Sequence, residues 1–113
     1  MESQTSIPQA ASFVVVVGGP SELVEATRQA AGVAAAARVE TAELGTAATV
    51  VASSRPFAIV MSEDVYAFDA EEFDAPARDV NATLIRLDTS NANRTELERQ
   101  LMPKLGRAHR RQR

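Results

Sequence analysis

A chain of 113 residues is sized for one domain, and with 45% hydrophobic and 24% charged residues it is too apolar to stay disordered. The lack of cysteine excludes disulfides, thiolate metal sites and cysteine nucleophiles, and a lone histidine, His109, leaves no basis for a histidine zinc site or a serine–histidine triad. The net charge of −3 conceals a split: all 15 acids lie in residues 1–103 beside seven bases, while residues 104–113 hold only bases, Lys104, Arg107, Arg110, Arg111 and Arg113.

Residues 1–12 have no hydrophobic period and read as a flexible leader; they lack the basic and apolar regions of a secretory signal. Phe13 to Val17 is a continuous β-branched run, suited to a central strand buried on both faces and closed by Gly18-Gly19-Pro20. Ser21 then reads as an N-cap, with Glu22 and Glu25 in the first turn. The apolar stripe Leu23, Ala26, Ala30, Ala31 predicts a helix over Ser21 to Ala31, ended by Gly32. Ala34 to Ala37 reads as a loop into a short edge strand, Ala36 to Thr41, centred on Val39.

Thr46 to Ser54 predicts a second helix, weakened by β-branched residues and stopped at Arg55-Pro56. Phe57 to Met61 is another fully apolar strand, followed by Ser62-Glu63-Asp64 and a connection through Val65 to Phe68. Asp69 and Glu72 have capping-box spacing and open a third helix, which Pro76 kinks or delays. Thr83 to Leu87 is the fourth strand. A polar loop, Asp88 to Ala92, leads to a second capping box at Asn93 and Glu96. Leu97, Leu101 and Leu105 then mark one face of a closing helix, kinked or ended by Pro103.

This β-α-β-α-β-α-β-α order predicts a small parallel α/β sheet of about four strands, in the order 2-1-3-4, with helices on both faces. The domain spans residues 13–106, and 107–113 form a basic C-terminal tail. No stretch approaches the roughly 20 apolar residues of a membrane helix, so the expected compartment is the cytoplasm.

An apolar first strand running into a helix, and Arg55-Pro56-Phe57-Ala58-Ile59-Val60-Met61 ahead of Ser62, resemble the receiver domain of bacterial response regulators, of the chemotaxis-regulator type. The resemblance implies a flavodoxin-like fold over roughly residues 13–106. It also implies a degenerate phosphorylation pocket, with Gly18 and Gly19 where the family has metal-binding acids and Ser62 where it has the phosphorylated aspartate. Asp88 or Thr89 falls at the hydroxyl-bearing switch position. Phosphoryl transfer to a carboxylate needs that carboxylate, acids for a divalent metal and a cation for the developing charge. The only lysine, Lys104, does not match the family's lysine, and one β-α unit is missing. A pseudo-receiver of this kind would be no enzyme and would have no catalytic residues, metal or cofactor.

The residues leave other readings open. Gly18-Gly19-Pro20-Ser21 lies where an anion can meet a helix N-terminus, yet lacks both G-x-G-x-x-G and the P-loop pattern, and a tight turn explains it equally. Ser62-Glu63-Asp64, with Asp88, could meet a cation or a basic side chain, or form a solvated lead-in. Tyr66 and Phe68 either fold over the core or, with Arg86 on the last strand, form a partner surface. Edge charge at Arg86 discourages strand pairing, although the same edge could support a homodimer. Arg107, Arg110, Arg111 and Arg113 read as a solvated, frayed C-terminus, or could meet phosphate or an acidic partner; nucleic acid is disfavoured by the acidic body and the lack of interleaved aromatics. The leading expectation is a protein–protein interaction module in bacterial signalling or spatial organisation, its partner unidentified. The alternative is a small domain binding a nucleotide, phosphate or divalent cation at the loops after strands one and three.

Overall fold

Five-residue apolar runs are too short for helices but long enough to pair, and in the computed structural model they do so in parallel. The structure describes residues 12–90 and 93–111. In chain order the elements are β1 (Phe13–Val17), α1 (Ser21–Ala35), β2 (Arg38–Ala42), a 3₁₀ turn (Leu44–Thr46) and α2 (Ala47–Ser54). There follow β3 (Ala58–Ser62), α3 (Glu63–Phe68), α4 (Ala70–Val80), β4 (Thr83–Leu87) and α5 (Arg94–Arg111). The sheet order is β2-β1-β3-β4 with every neighbouring pair parallel, the expected flavodoxin-like α/β arrangement. The leader through residue 11, residues 91 and 92 of the polar loop, and Arg113 lie outside the described residues.

The side-chain period of two divides each central strand between two cores. Val14, Val16, Ala58 and Val60 face one side, covered by α1 and α5 through Leu23, Ala26, Leu97 and Leu101. Val15, Val17, Ile59 and Met61 face the other, covered by α2 and α4 through Val51, Phe73 and Ala77. Burial on both faces is why β1 and β3 read as unbroken apolar runs. Small residues on α1 (Ala26, Ala30 and Ala31, all fully buried) let α5 lie close beside it.

Both expected N-caps form, each making the cap half of its box. The Asp69 carboxylate accepts from the Glu72 N–H at 3.4 Å, and Asn93 Oδ1 accepts from the Glu96 N–H at 2.9 Å. β4 occupies the expected residues, and α4 starts on its cap and continues through Pro76.

Several boundaries differ from the sequence reading. Ser21 is the first helical residue of α1 and not its cap; the Pro20 carbonyl accepts from the N–H groups of Leu23 and Val24 at 3.0 and 3.2 Å. Proline cannot cap with a side chain, but its fixed φ suits a helix entrance. Gly32 does not end α1. The helix runs on to Ala35, because Ala34 and Ala35 pack against the core and alanine offsets the roughly 1 kcal/mol cost of one interior glycine. The terminator is Ala36, left-handed at φ 50° and ψ 40°, so Ala34 and Ala35 are helical and the edge strand starts at Arg38. The connection through Val65 to Phe68 is also helical, as α3.

The largest difference is at the C-terminus. α5 passes through Pro103 and continues to Arg111, with Leu105 and Ala108 buried against the sheet. Arg107, Arg110 and Arg111 therefore stand on a packed helix and not on a loose tail. The carbonyl that Pro103 leaves without its N–H partner belongs to exposed Arg99, where water can satisfy it.

Ala36 supplies a direct test of the α1 boundary. Replacing Ala36 with glycine removes the Cβ penalty of the left-handed region, less the added freedom of the unfolded chain. Chemical denaturation is expected to show Ala36→Gly stabilised by about 0.5–1 kcal/mol. The same change at Ala35, inside the helix, is expected to destabilise by about 1 kcal/mol.

Candidate functional site

In a parallel sheet, the loops leaving the carboxyl ends of the strands gather at one edge, and all the expected pocket residues lie there. Ser62 pairs in register with Leu87, which places it one residue short of Asp88, and β1 beside β3 brings the Gly18 turn to the same edge. Proximity of the loops does not make one pocket of them. Ser62 and Asp88 are each engaged within their own loops, and Gly18 bonds to the end of β2.

Gly18 has φ +59°, a conformation glycine adopts freely, and its N–H donates to the Ala42 carbonyl at 2.9 Å. At Gly19 an added Cβ would fall 2.6 Å from Cδ2 of Leu23. The geometry of the turn thus accounts for both glycines, through a favoured φ at Gly18 and a close approach at Gly19. Ser62 is only 6% exposed, and its Oγ accepts from the Val65 N–H at 3.2 Å as the N-cap of α3. Glu63 and Asp64 fill the first turn of α3, where the helix dipole favours acids. Asp88 accepts from both the N–H and the Oγ of Ser90, at 3.0 and 2.7 Å, and these two bonds lower its carboxyl pKa. Thr89 is half-buried beside it. Among the described residues, no group of three or more His, Asp or Glu side chains is placed to hold a metal ion.

An open groove of about 500 Å³ does exist at this edge. It runs between the loops after β1 and β2, lined by Gly18, Gly19, Thr41, Glu43 and Thr46. Its outer wall is therefore β2, and neither Ser62 nor Asp88 reaches it. Thr41, Glu43 and Thr46 were not singled out in the sequence, although the expected order 2-1-3-4 already sets the end of β2 beside Gly18.

A second assembly lies on the flank of β4. Arg86 places its guanidinium carbon 4.3 Å from the Tyr66 ring centroid and reaches Glu63 at 3.8 Å. The Tyr66 hydroxyl donates to the Asp74 carboxylate at 3.0 Å, so α3, α4 and β4 are tied together at one point. Phe68 stands apart, 83% exposed at the end of α3. Of the two aromatics, Tyr66 folds back on the core and Phe68 stays exposed. His109 is also committed, with its ring edge-on to Phe57 at 5.1 Å between centroids.

The hydrogen bond to Asp74 holds the Tyr66 phenol above its ordinary pKa of 10.0, helped by desolvation and the Asp74 charge and opposed by Arg86. The folded protein therefore keeps this proton at a pH where the unfolded chain releases it. Its contribution to stability is complete below the unfolded value and fades as pH rises through the folded one. Absorbance at 295 nm is expected to give a phenolate midpoint above 10.0, and Asp74→Asn is expected to bring that midpoint down.

No family model matches the chain, and no curated protein matches it. No described helix is long and apolar enough to cross a membrane.

Proposed function

We propose that the protein is a pseudo-receiver: a non-enzymatic interaction module that works through its surface in bacterial signalling or spatial organisation, in the cytoplasm. The observation that carries this reading is the state of Ser62. At the tip of the central strand, where phosphotransfer in such a fold would require a free carboxylate, there is a hydroxyl already spent on capping α3. Gly18 and Gly19 supply no metal-binding oxygen from their side chains, and Asp88 is turned into its own loop by Ser90. The scaffold around these positions is nevertheless fully packed. A packed scaffold whose strand-tip side chains are engaged in their own loops fits recognition better than chemistry.

Incubation with acetyl phosphate and Mg²⁺ is the test, read by intact mass. The expected result is an unchanged mass. A stable gain of one phosphoryl group on a carboxylate would reject the proposal. On the binding side, Phe68→Ser is a cleaner probe of the partner surface than any change at Tyr66, whose ring and hydroxyl also hold α3 to α4 and β4.

The groove beside Gly18 and Gly19 favours a second reading, a small ligand-binding domain for a nucleotide, phosphate or divalent cation. That reading expects one of these ligands to raise the melting temperature beyond the effect of matched salt, and a flat response across such a panel counts against it.

A further inference from the structure

Among the described residues β4 pairs only with β3, which leaves its outer edge unpaired. The Thr83 N–H donates inward to the Phe57 carbonyl at 2.9 Å, and alternation along the strand then turns the N–H and C=O groups of Leu84 and Arg86 outward. Beside this edge runs a groove of about 250 Å³, walled by Thr83 to Arg86 on one side and by Lys104, Arg107 and Arg111 on the other. The three cations are spaced at i, i+3 and i+7, which is one face of α5. None of them has an acidic partner among the described residues, although the rest of the chain is rich in acids.

We propose that this edge takes up an extended, acidic segment of another protein as a fifth strand. The segment's backbone would bond to Leu84 and Arg86, and its carboxylates would meet Lys104, Arg107 and Arg111. The inference rests on the reading of the protein as an interaction module and gives the partner its chemistry. Charge decides between this occupant and a second copy of the chain. Antiparallel pairing of two β4 edges about a two-fold axis normal to the sheet keeps both α5 helices on the same face. Each row of three cations would then border the other, an arrangement that repels. A carboxylate-bearing strand removes the conflict. Nucleic acid would use the cations but would leave the outward N–H and C=O groups of the strand without backbone partners.

The probe is a fluorescein-labelled nine-residue peptide of alternating Glu and Val, compared with its Lys–Val counterpart and with a deoxythymidine oligomer. The full chain is expected to bind the Glu–Val peptide in preference to both controls. Arg107→Glu combined with Arg111→Glu, both exposed positions, is expected to weaken binding by at least about tenfold while the far-ultraviolet circular dichroism is unchanged. Arg107→Gln with Arg111→Gln gives the same comparison without added acids at the helix end. Hydrogen exchange at the Leu84 and Arg86 amides is expected to slow when the peptide is added. Binding that ignores the charge changes, unaltered exchange at both amides, or tighter binding of the oligonucleotide would overturn the proposal. So would protection of the same amides by self-association without peptide. A chain that ignores the peptide and also takes no phosphate from acetyl phosphate loses this inference and keeps the module reading. Phosphate gained on a carboxylate removes that reading whatever the peptide does.

Discussion

A chain ending at Pro103 is expected to lose its cooperative thermal transition. The deletion looks harmless in the sequence, since it removes ten residues that carry five of the twelve bases and follow a proline. In the structure it removes Leu105 and Ala108, which are 0% and 1% exposed, and also the His109 ring set against Phe57. Truncating one buried leucine to alanine costs about 2–5 kcal/mol. Deleting the whole helical end also exposes the Phe57 and α1 surfaces that it covers, so the loss exceeds that range. A domain of this size holds only about 5–15 kcal/mol in total. Leu105→Ala alone is expected to lie in the range of about 2–5 kcal/mol by urea denaturation. A truncated chain that still melts cooperatively within a few degrees of the full one would show that α5 beyond Pro103 is not part of the fold. It would also remove the footing of the groove beside β4.

The second large effect is expected at Gly19. An alanine Cβ there would stand 2.6 Å from Leu23 Cδ2 and 3.3 Å from Leu23 Cβ. Leu23 is fully buried at the start of α1, so it can yield only by disturbing its neighbours. Overpacking of this kind costs about 1–3 kcal/mol. Gly32 supplies the control. It is exposed inside α1 with nothing within 4 Å of an added Cβ, so Gly32→Ala is expected to stabilise by about 0.5–1 kcal/mol. The opposite signs at a glycine ahead of α1 and a glycine within it separate a glycine needed for close approach from one that the helix merely tolerates. If Gly19→Ala were neutral, the tightness of the turn would no longer account for that glycine, and the ligand-binding reading of the loop would gain weight.

Several features of the fold were legible because they depend on neighbours in the chain. Asp69 with Glu72, and Asn93 with Glu96, announce helix starts through hydrogen bonds that span three residues. Thr83 to Leu87 emerged with its observed bounds because strong β-formers stand between an asparagine and an aspartate. The cap formed by Ser62 was also within reach, since Glu63 and Asp64 follow it as first-turn acids; its place at a strand tip drew the reading toward a lost nucleophile instead. The spacing of Lys104, Arg107 and Arg111 suits a shared helix face, but Pro103 leaves open in the sequence whether the helix reaches them. Tyr66 offered no such local sign, because its partners, Asp74 and Arg86, come from a different helix and strand.

By itself the sequence determined a parallel four-stranded sheet with a core on each face, because uninterrupted apolar runs separated by helical segments admit little else. Only the tertiary structure decided where α1 and α5 end. Gly32 and Pro103 carry local penalties of about 1 and 3 kcal/mol, which are offset by the partial burial of Ala34 and Ala35 and the full burial of Leu105 and Ala108 against distant elements. The same long-range packing decided which charges are free. Among the described residues it ties Arg86 to Tyr66 and leaves Lys104, Arg107 and Arg111 side by side along the outer edge of β4.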